Sequence, residues 1–210
     1  MKIRAYITTR NREQMLTQVV EHLNSFGIIP LIKDDESNYD IKHPQTFTHR
    51  YRGKKGFWIT WDEILKDCEK SEAELFVFMP DDFLNLDVER LIALHYEYTK
   101  KRAYAYNIIN DGRAGQWTGI QEKVIDNETI MSGMVDCGFF CNREALNKIG
   151  YYINNPKRIG GSSGVGQQLS MRFLKERILM YKPIKSLATH GEHESIMHKE
   201  ERKRNPLKSL

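Results

Sequence analysis

Three cysteines, Cys68, Cys137 and Cys141, are all that the 210 residues contain. An odd count without a Cys-x-x-Cys pair excludes a disulfide framework and fits a reducing compartment, where such residues serve as packing. Long apolar runs are also missing, since no segment approaches the roughly 18 residues that a membrane-crossing helix requires. Arg4 interrupts the only apolar stretch at the start and no small-residue cleavage site follows, so the expectation is a cytoplasmic chain without a signal peptide. Serine and cysteine are absent from any recognised nucleophile context, which leaves covalent acyl-enzyme hydrolysis little support. Neither sign of charge dominates: 32 Lys and Arg stand against 28 Asp and Glu, a net charge of +4. That balance admits a nucleotide diphosphate or DNA as partner without requiring either.

What is present is globular. Hydrophobic residues make up 40% and charged residues 29%, and a chain of this length buries one sizeable core. Lys2 to Thr8 alternates in the manner of a strand, and Met15, Leu16, Val19, Val20, Leu23 and Phe26 then recur at helical spacing, with Asn11 as the expected N-cap and Gly27 as the stop. Ile28 to Ile32 reads as a second strand, and the basic, aromatic stretch Lys42 to Trp58 as a long loop. Thr60-Trp61-Asp62-Glu63 has capping-box spacing and predicts a helix through Cys68. Leu75 to Met79 is a continuous apolar run of strand length, the pattern of a strand covered on both faces. A helix over 87–101, strands over 103–108, 135–141, 178–181 and 186–189, and helices after Asn142 and after the Gly160 to Gly166 tract complete the reading. Strands alternating with helices predict a single α/β domain built on an open, mostly parallel, twisted sheet. Its expected extent is residues 1–198, with 199–210 as a basic polar tail.

In such a sheet the ligand sits beyond the carboxyl ends of the strands. The polar residues there are Thr8, Thr9, Arg10 and Arg12 after the first strand, Asp34 and Asp35 after the second, and Asp81 and Asp82 after the apolar one. Two adjacent carboxylates at the end of a buried strand repel each other and lose hydration, an arrangement that a divalent cation satisfies. Taken alone, the pair could equally cap a turn. His190, within His190-Gly191-Glu192-His193-Glu194, is the candidate for a second ligand. A zinc hydrolase reading lacks the helical His-Glu-x-x-His pattern.

Laid in order, these segments resemble the GT-A glycosyltransferases, particularly short members encoded by bacteriophages. Thr8-Thr9-Arg10-Asn11-Arg12 resembles the family's nucleotide loop, Asp34 or Asp35 the acid that holds base or ribose, and Phe78-Met79-Pro80-Asp81-Asp82 an Asp-x-Asp motif whose first acid is Pro80. The resemblance implies a Rossmann-like GT-A fold, with a donor half of about residues 1–110 and an acceptor half of about 111–198. It implies a nucleotide-diphosphate sugar as co-substrate, manganese or magnesium on Asp82 and His190, and Asp81 on ribose or sugar. Where the family carries a general base, Gly166-Gln167-Gln168 stand instead. Either Asp136 or a carboxylate such as Glu192 or Glu194 then deprotonates the acceptor, with Asp136 preferred, or the enzyme retains configuration. Arg52, Lys54, Lys55, Trp117 and Gln168 are the acceptor-side candidates. Phage relatives modify hydroxymethylated pyrimidines in DNA, which makes DNA one acceptor, a polysaccharide or protein another, and a non-catalytic nucleotide-sugar or nucleic-acid binding module the reading from a different class.

Overall fold

The computed structural model describes residues 1–50, 53–100, 102–112, 118–136, 138–156 and 164–191, with the backbone alone over 53–55. In chain order the elements are β1 (Ile3–Thr9), α1 (Glu13–Ser25), β2 (Leu31–Asp34), β3 (Thr46–Thr48), α2 (Gly53–Lys70), β4 (Leu75–Pro80), β5 (Phe83–Leu84) and α3 (Val88–Thr99). There follow β6 (Tyr104–Asn107), β7 (Lys123–Val124), β8 (Thr129–Ser132), β9 (Phe139–Asn142), α4 (Arg143–Ile149), α5 (Val165–Lys175), β10 (Leu179–Pro183) and β11 (Thr189–His190).

Nine strands form one sheet in the order β3-β2-β1-β4-β9-β6-β10-β8-β7, and β5 pairs with β11 in a separate two-stranded piece. Parallel and antiparallel pairs are equally numerous, because β9 inserts backwards between β4 and β6 and β8 lies backwards between β10 and β7. The other strands share one direction, so the sheet is mostly parallel, as its sequence pattern predicts.

Helices cover both faces, and β4 shows why its sequence is apolar throughout. Phe76 and Phe78 enter the core that also holds Trp61, Phe139, Leu169 and Phe173, while Leu75, Val77 and Met79 enter the opposite core with Leu16, Leu91 and Phe140. A strand buried on both sides leaves no position for a polar residue until it ends. Phe78 stacks on Tyr6 at 5.5 Å between ring centroids and lies 4.9 Å from Phe139.

Several elements depart from the sequence reading. The stretch read as a loop to Trp58 contains β3 and the first turns of α2, and Thr60 lies inside that helix rather than capping it. Phe57, Trp61, Ile64, Leu65 and Cys68 are all buried, so the apolar spacing runs one turn further back than the capping box suggests. The Thr60 hydroxyl meets His49 Nε2 at 3.2 Å instead of a backbone amide. Arg12, not Asn11, is the N-cap of α1, and Asn11 takes the left-handed conformation at φ 54°, which asparagine tolerates better than most residues. The strand expected from Val135 begins only at Phe139, and β5, β7 and β8 are too short or too irregular to announce themselves by alternation. Removing the Phe78 ring in Phe78→Ala should cost about 3–5 kcal/mol, the range for emptying a buried aromatic site, read as a lower urea midpoint at unchanged m-value.

Candidate functional site

From β1 the chain moves outward to β2 and β3, whereas β4 and everything after it build the other side of the sheet. The carboxyl ends of β1 and β4 therefore flank the point where the strand order reverses, the usual position of a ligand crevice. Hydrogen bonding continues past both strand ends: Asp81 N–H donates to Thr8 O at 3.1 Å and Asp35 N–H to Thr9 O at 3.0 Å. Asp81 and Asp82 are thereby held in the interior, 2% and 6% exposed. Thr9 Oγ1 donates to Asp81 Oδ2 at 2.6 Å. Arg12 Nη1 donates to Asp81 Oδ1 at 2.9 Å and to Asp82 Oδ2 at 2.8 Å, so one guanidinium nitrogen bridges two carboxylates. Asp82 Oδ1 is buried and has no hydrogen-bond partner among the described residues.

Burial pushes the Asp81 carboxyl up to about 6, against the pull of Arg12 and the Thr9 hydroxyl and with the help of Asp82 beside it. Desolvation outweighs the ion pair because the guanidinium divides its charge between two acids.

His190 reaches this place through the small β5 and β11 pair. His190 lies opposite Phe83, and Gly191 N–H donates to Asp82 O at 2.7 Å. His190 Nε2 lies 3.7 Å from Asp82 Oδ2. The other ring nitrogen, Nδ1, stands 3.0 Å from Gly191 O, and a carbonyl can only accept, so Nδ1 carries a proton. Two glycines permit the approach. A β-carbon on Gly138 would fall 2.1 Å from the Phe83 ring, and one on Gly191 would fall 2.7 Å from the Met15 methyl.

Beyond β2 the acidic pair is divided. Asp34 accepts from Ser37 N–H at 3.1 Å and from the Ser37 hydroxyl at 2.6 Å, closing its own turn, while Asp35 Oδ1 lies 3.2 Å from His49 Nε2. Asn11 ties this turn to the loop after β1: its N–H donates to Ser37 Oγ at 2.8 Å and its Oδ1 accepts from Asn38 N–H at 2.7 Å. Arg10 is half-buried at the same edge. The Tyr39 hydroxyl, raised above the usual phenol value by burial, stands beside Thr9 and Ser37 yet meets hydrogen-bond geometry with neither.

On the other side of β4, the antiparallel direction of β9 brings its entry rather than its exit to the carboxyl edge of the sheet. Asp136 lies on that entry, half-buried, and its N–H donates to Asn107 Oδ1 at 3.2 Å. Asn107 Nδ2 in turn holds Met134 O and Tyr181 O at 2.9 and 3.0 Å. Gln168 spends its side chain on the backbone of Asn154, accepting from its N–H at 3.0 Å and donating to its carbonyl at 2.8 Å, so it braces a loop and is not presented for a ligand in this arrangement. Arg52, Trp117, Glu192 and Glu194 lie outside the described residues, as does the tail, and Lys54 and Lys55 are described by backbone alone in the first turn of α2.

No protein-family model matches this sequence, and no curated protein does. Solved structures do match. A mannosyltransferase from Pyrobaculum calidifontis, in complex with GDP-Man and Mn2+, superposes with a TM-score of 0.59 at 11% identity over 94% of this chain and 59% of its own. Glucosyl-3-phosphoglycerate synthase from Mycobacterium tuberculosis, in complex with Mn2+ and UDP-glucose, gives 0.55 at 12% identity over 92% of this chain and 72% of its own. The catalytic domain of Drosophila β1,4-galactosyltransferase 7, in complex with xylobiose, gives 0.51 at 15% identity over 87% and 65%. The fold is that of the GT-A glycosyltransferases. At these identities the likeness concerns the fold alone, and the chain spans between 59% and 72% of the length of these proteins.

Within this GT-A fold the crevice holds one unsatisfied carboxylate oxygen, the kind of donor a divalent cation takes. The orphaned oxygen is Oδ1 of Asp82, and His190 Nε2 stands 3.7 Å from the other oxygen of the same carboxylate. Among the described residues no group of three or more His, Cys, Asp or Glu side chains converges on a metal. Two protein donors suffice where a small hard cation takes its remaining ligands from phosphate and water. Ser37, Tyr39 and Asn107 were not singled out from sequence. Only Gly138 carried a signal, since a glycine just before a strand marks a close approach of neighbouring chain.

The Asp81 carboxyl bears on stability. In the unfolded chain it ionises near 4, whereas in the fold it stays protonated to about 6. The contribution is therefore complete below about pH 4 and lost as pH rises through about 6, roughly 2–3 kcal/mol by linkage. Urea unfolding in EDTA should show the wild type losing about that much relative to Asp81→Asn between pH 4 and 6.5, and parallel curves would contradict the assignment.

Proposed function

We propose that this protein is a metal-dependent glycosyltransferase that moves a sugar from a nucleotide-diphosphate sugar to a hydroxyl acceptor. The observation that carries the reading is the buried, unpartnered Oδ1 of Asp82, on a carboxylate whose Oδ2 lies 3.7 Å from His190 Nε2, at the strand-order reversal of a GT-A fold. Asp82 and His190 would hold manganese or magnesium, which when bound supplies a Lewis acid that neutralises the departing diphosphate. Thr8, Thr9, Arg10 and Arg12 line the diphosphate side, and Asp81 faces ribose or sugar. Asp34 and Asp35 shape the nucleoside end, Asp34 by closing the Ser37 turn and leaving Tyr39 over it.

Asp136 is the base in this reading. Its carboxylate takes the proton of the acceptor hydroxyl as that oxygen bonds to the sugar carbon and the bond to the diphosphate breaks, and the Asn107 amide fixes its backbone for the purpose. The donor half covers about residues 1–110 and the acceptor half about 111–198, with Glu192 the alternative catalytic carboxylate. The acceptor is a hydroxymethylated pyrimidine in DNA, as in short phage-encoded enzymes, reached through Arg52, Lys54, Lys55 and Trp117 in the cytoplasm of the host.

Labelled nucleotide-sugars offered with Mn2+ to hydroxymethylated DNA, ordinary DNA and glycans test this directly. Asp82→Asn should lower kcat/KM by about a hundredfold or more and His190→Ala by about tenfold or more, the scale for groups that stabilise developing charge. Wild-type turnover in either would dismiss the metal assignment, and absence of turnover with every donor would leave a binding module. Asp136→Asn should abolish turnover with donor binding intact. Transfer to DNA should also fall by roughly tenfold or more between 50 and 200 mM salt as phosphate contacts are screened, whereas salt independence would favour a glycan or protein acceptor.

A further inference from the structure

We infer that Arg12 is a built-in counter-cation that occupies the carboxylates of the metal site until a diphosphate draws it away, so that cation and donor enter together. The inference rests on the donor-site reading above and adds the order of events at that site. Arg12 Nη1 lies 2.9 Å from Asp81 and 2.8 Å from Asp82, with its side chain 14% exposed. In the absence of donor the guanidinium already supplies positive charge where a divalent cation would act.

A cation on Asp82 Oδ1 and the guanidinium on Asp82 Oδ2 would share a single carboxylate within a buried site, and like charges repel most strongly where the dielectric is low. The protein also offers too few donors on its own: no third His, Cys, Asp or Glu joins Asp82 and His190 among the described residues. A diphosphate removes both obstacles. Its oxygens complete the cation's shell, and its negative charge gives the planar guanidinium a partner better matched than two separate carboxylates.

Local structure permits the exchange. Arg12 is the N-cap of α1 and makes no side-chain cap bond there, so the helix start does not depend on where the guanidinium points. Thr9 Oγ1 continues to donate to Asp81 once Arg12 has left. Arg12 is thus a positioning residue whose displacement couples metal to donor.

Mn2+ titrations followed by the EPR signal of unbound Mn2+, on the full chain with and without UDP or GDP and against protein-free blanks, decide the matter. The wild type should bind Mn2+ weakly alone and at least about tenfold more tightly with one of the nucleotides, a coupling that must be reciprocal. Arg12→Met should bind Mn2+ alone at least about tenfold more tightly than wild type and gain less from nucleotide. Arg12→Gln, which can still donate to the carboxylates, carries the same expectation should the methionine variant fail to fold, and Asp82→Asn in either background should abolish the gain. Equal Mn2+ affinity in wild type and variants, or a wild-type affinity indifferent to both nucleotides, overturns the exchange alone. Failure of the wild type to take up Mn2+ under any of these conditions overturns the metal reading with it.

Discussion

One guanidinium between two buried carboxylates is the constraint around which this crevice is arranged. Asp81 and Asp82 follow a strand that is apolar on both faces, so they enter the interior by continuity of the chain rather than by any gain in hydration. Two adjacent acids in that position require positive charge, and Arg12 provides it from the first turn after the neighbouring strand. One oxygen of Asp82 is left over. Buried polar atoms without partners are uncommon in folded proteins, and each calls for an explanation, of which an ion is one.

Rigidity around that oxygen comes from short pieces of backbone rather than from large elements. Two-residue strands β5 and β11 align His190 with Phe83, and the Gly191 amide closes on the Asp82 carbonyl. Gly138 lets the Phe83 ring lie against the entry of β9, which brings the tract carrying Asp136 to the same edge of the sheet. Loop side chains do the same work at the nucleoside end, where Asn11, Ser37 and Asp34 join the turns after β1 and β2 in one hydrogen-bonded chain.

Much of this was legible in the chain because burial leaves a composition behind it. The doubly covered strand β4, the helical stripe of α1 and the cap Asn142 are local patterns, and the structure keeps them. The extra turns of α2 were hidden because Gly53 to Gly56 suggests a breaker, while Phe57 and Trp61 supply the burial that overrides it. The bonding of Gln168 was hidden for a different reason. Its place at the head of α5 was foreseeable, but its pairing with the Asn154 backbone depends on a distant loop.

By itself the sequence determined the α/β class, the mostly parallel sheet and the list of polar residues beyond its strands, since these follow from periodicity and from what a buried strand excludes. Tertiary structure alone decided that Arg12 bridges both acids, that His190 faces Asp82, and that Asp34 closes its own turn. Such pairings join residues far apart in the chain, and their partners are chosen by strand order and by the room a glycine leaves, which no local pattern records.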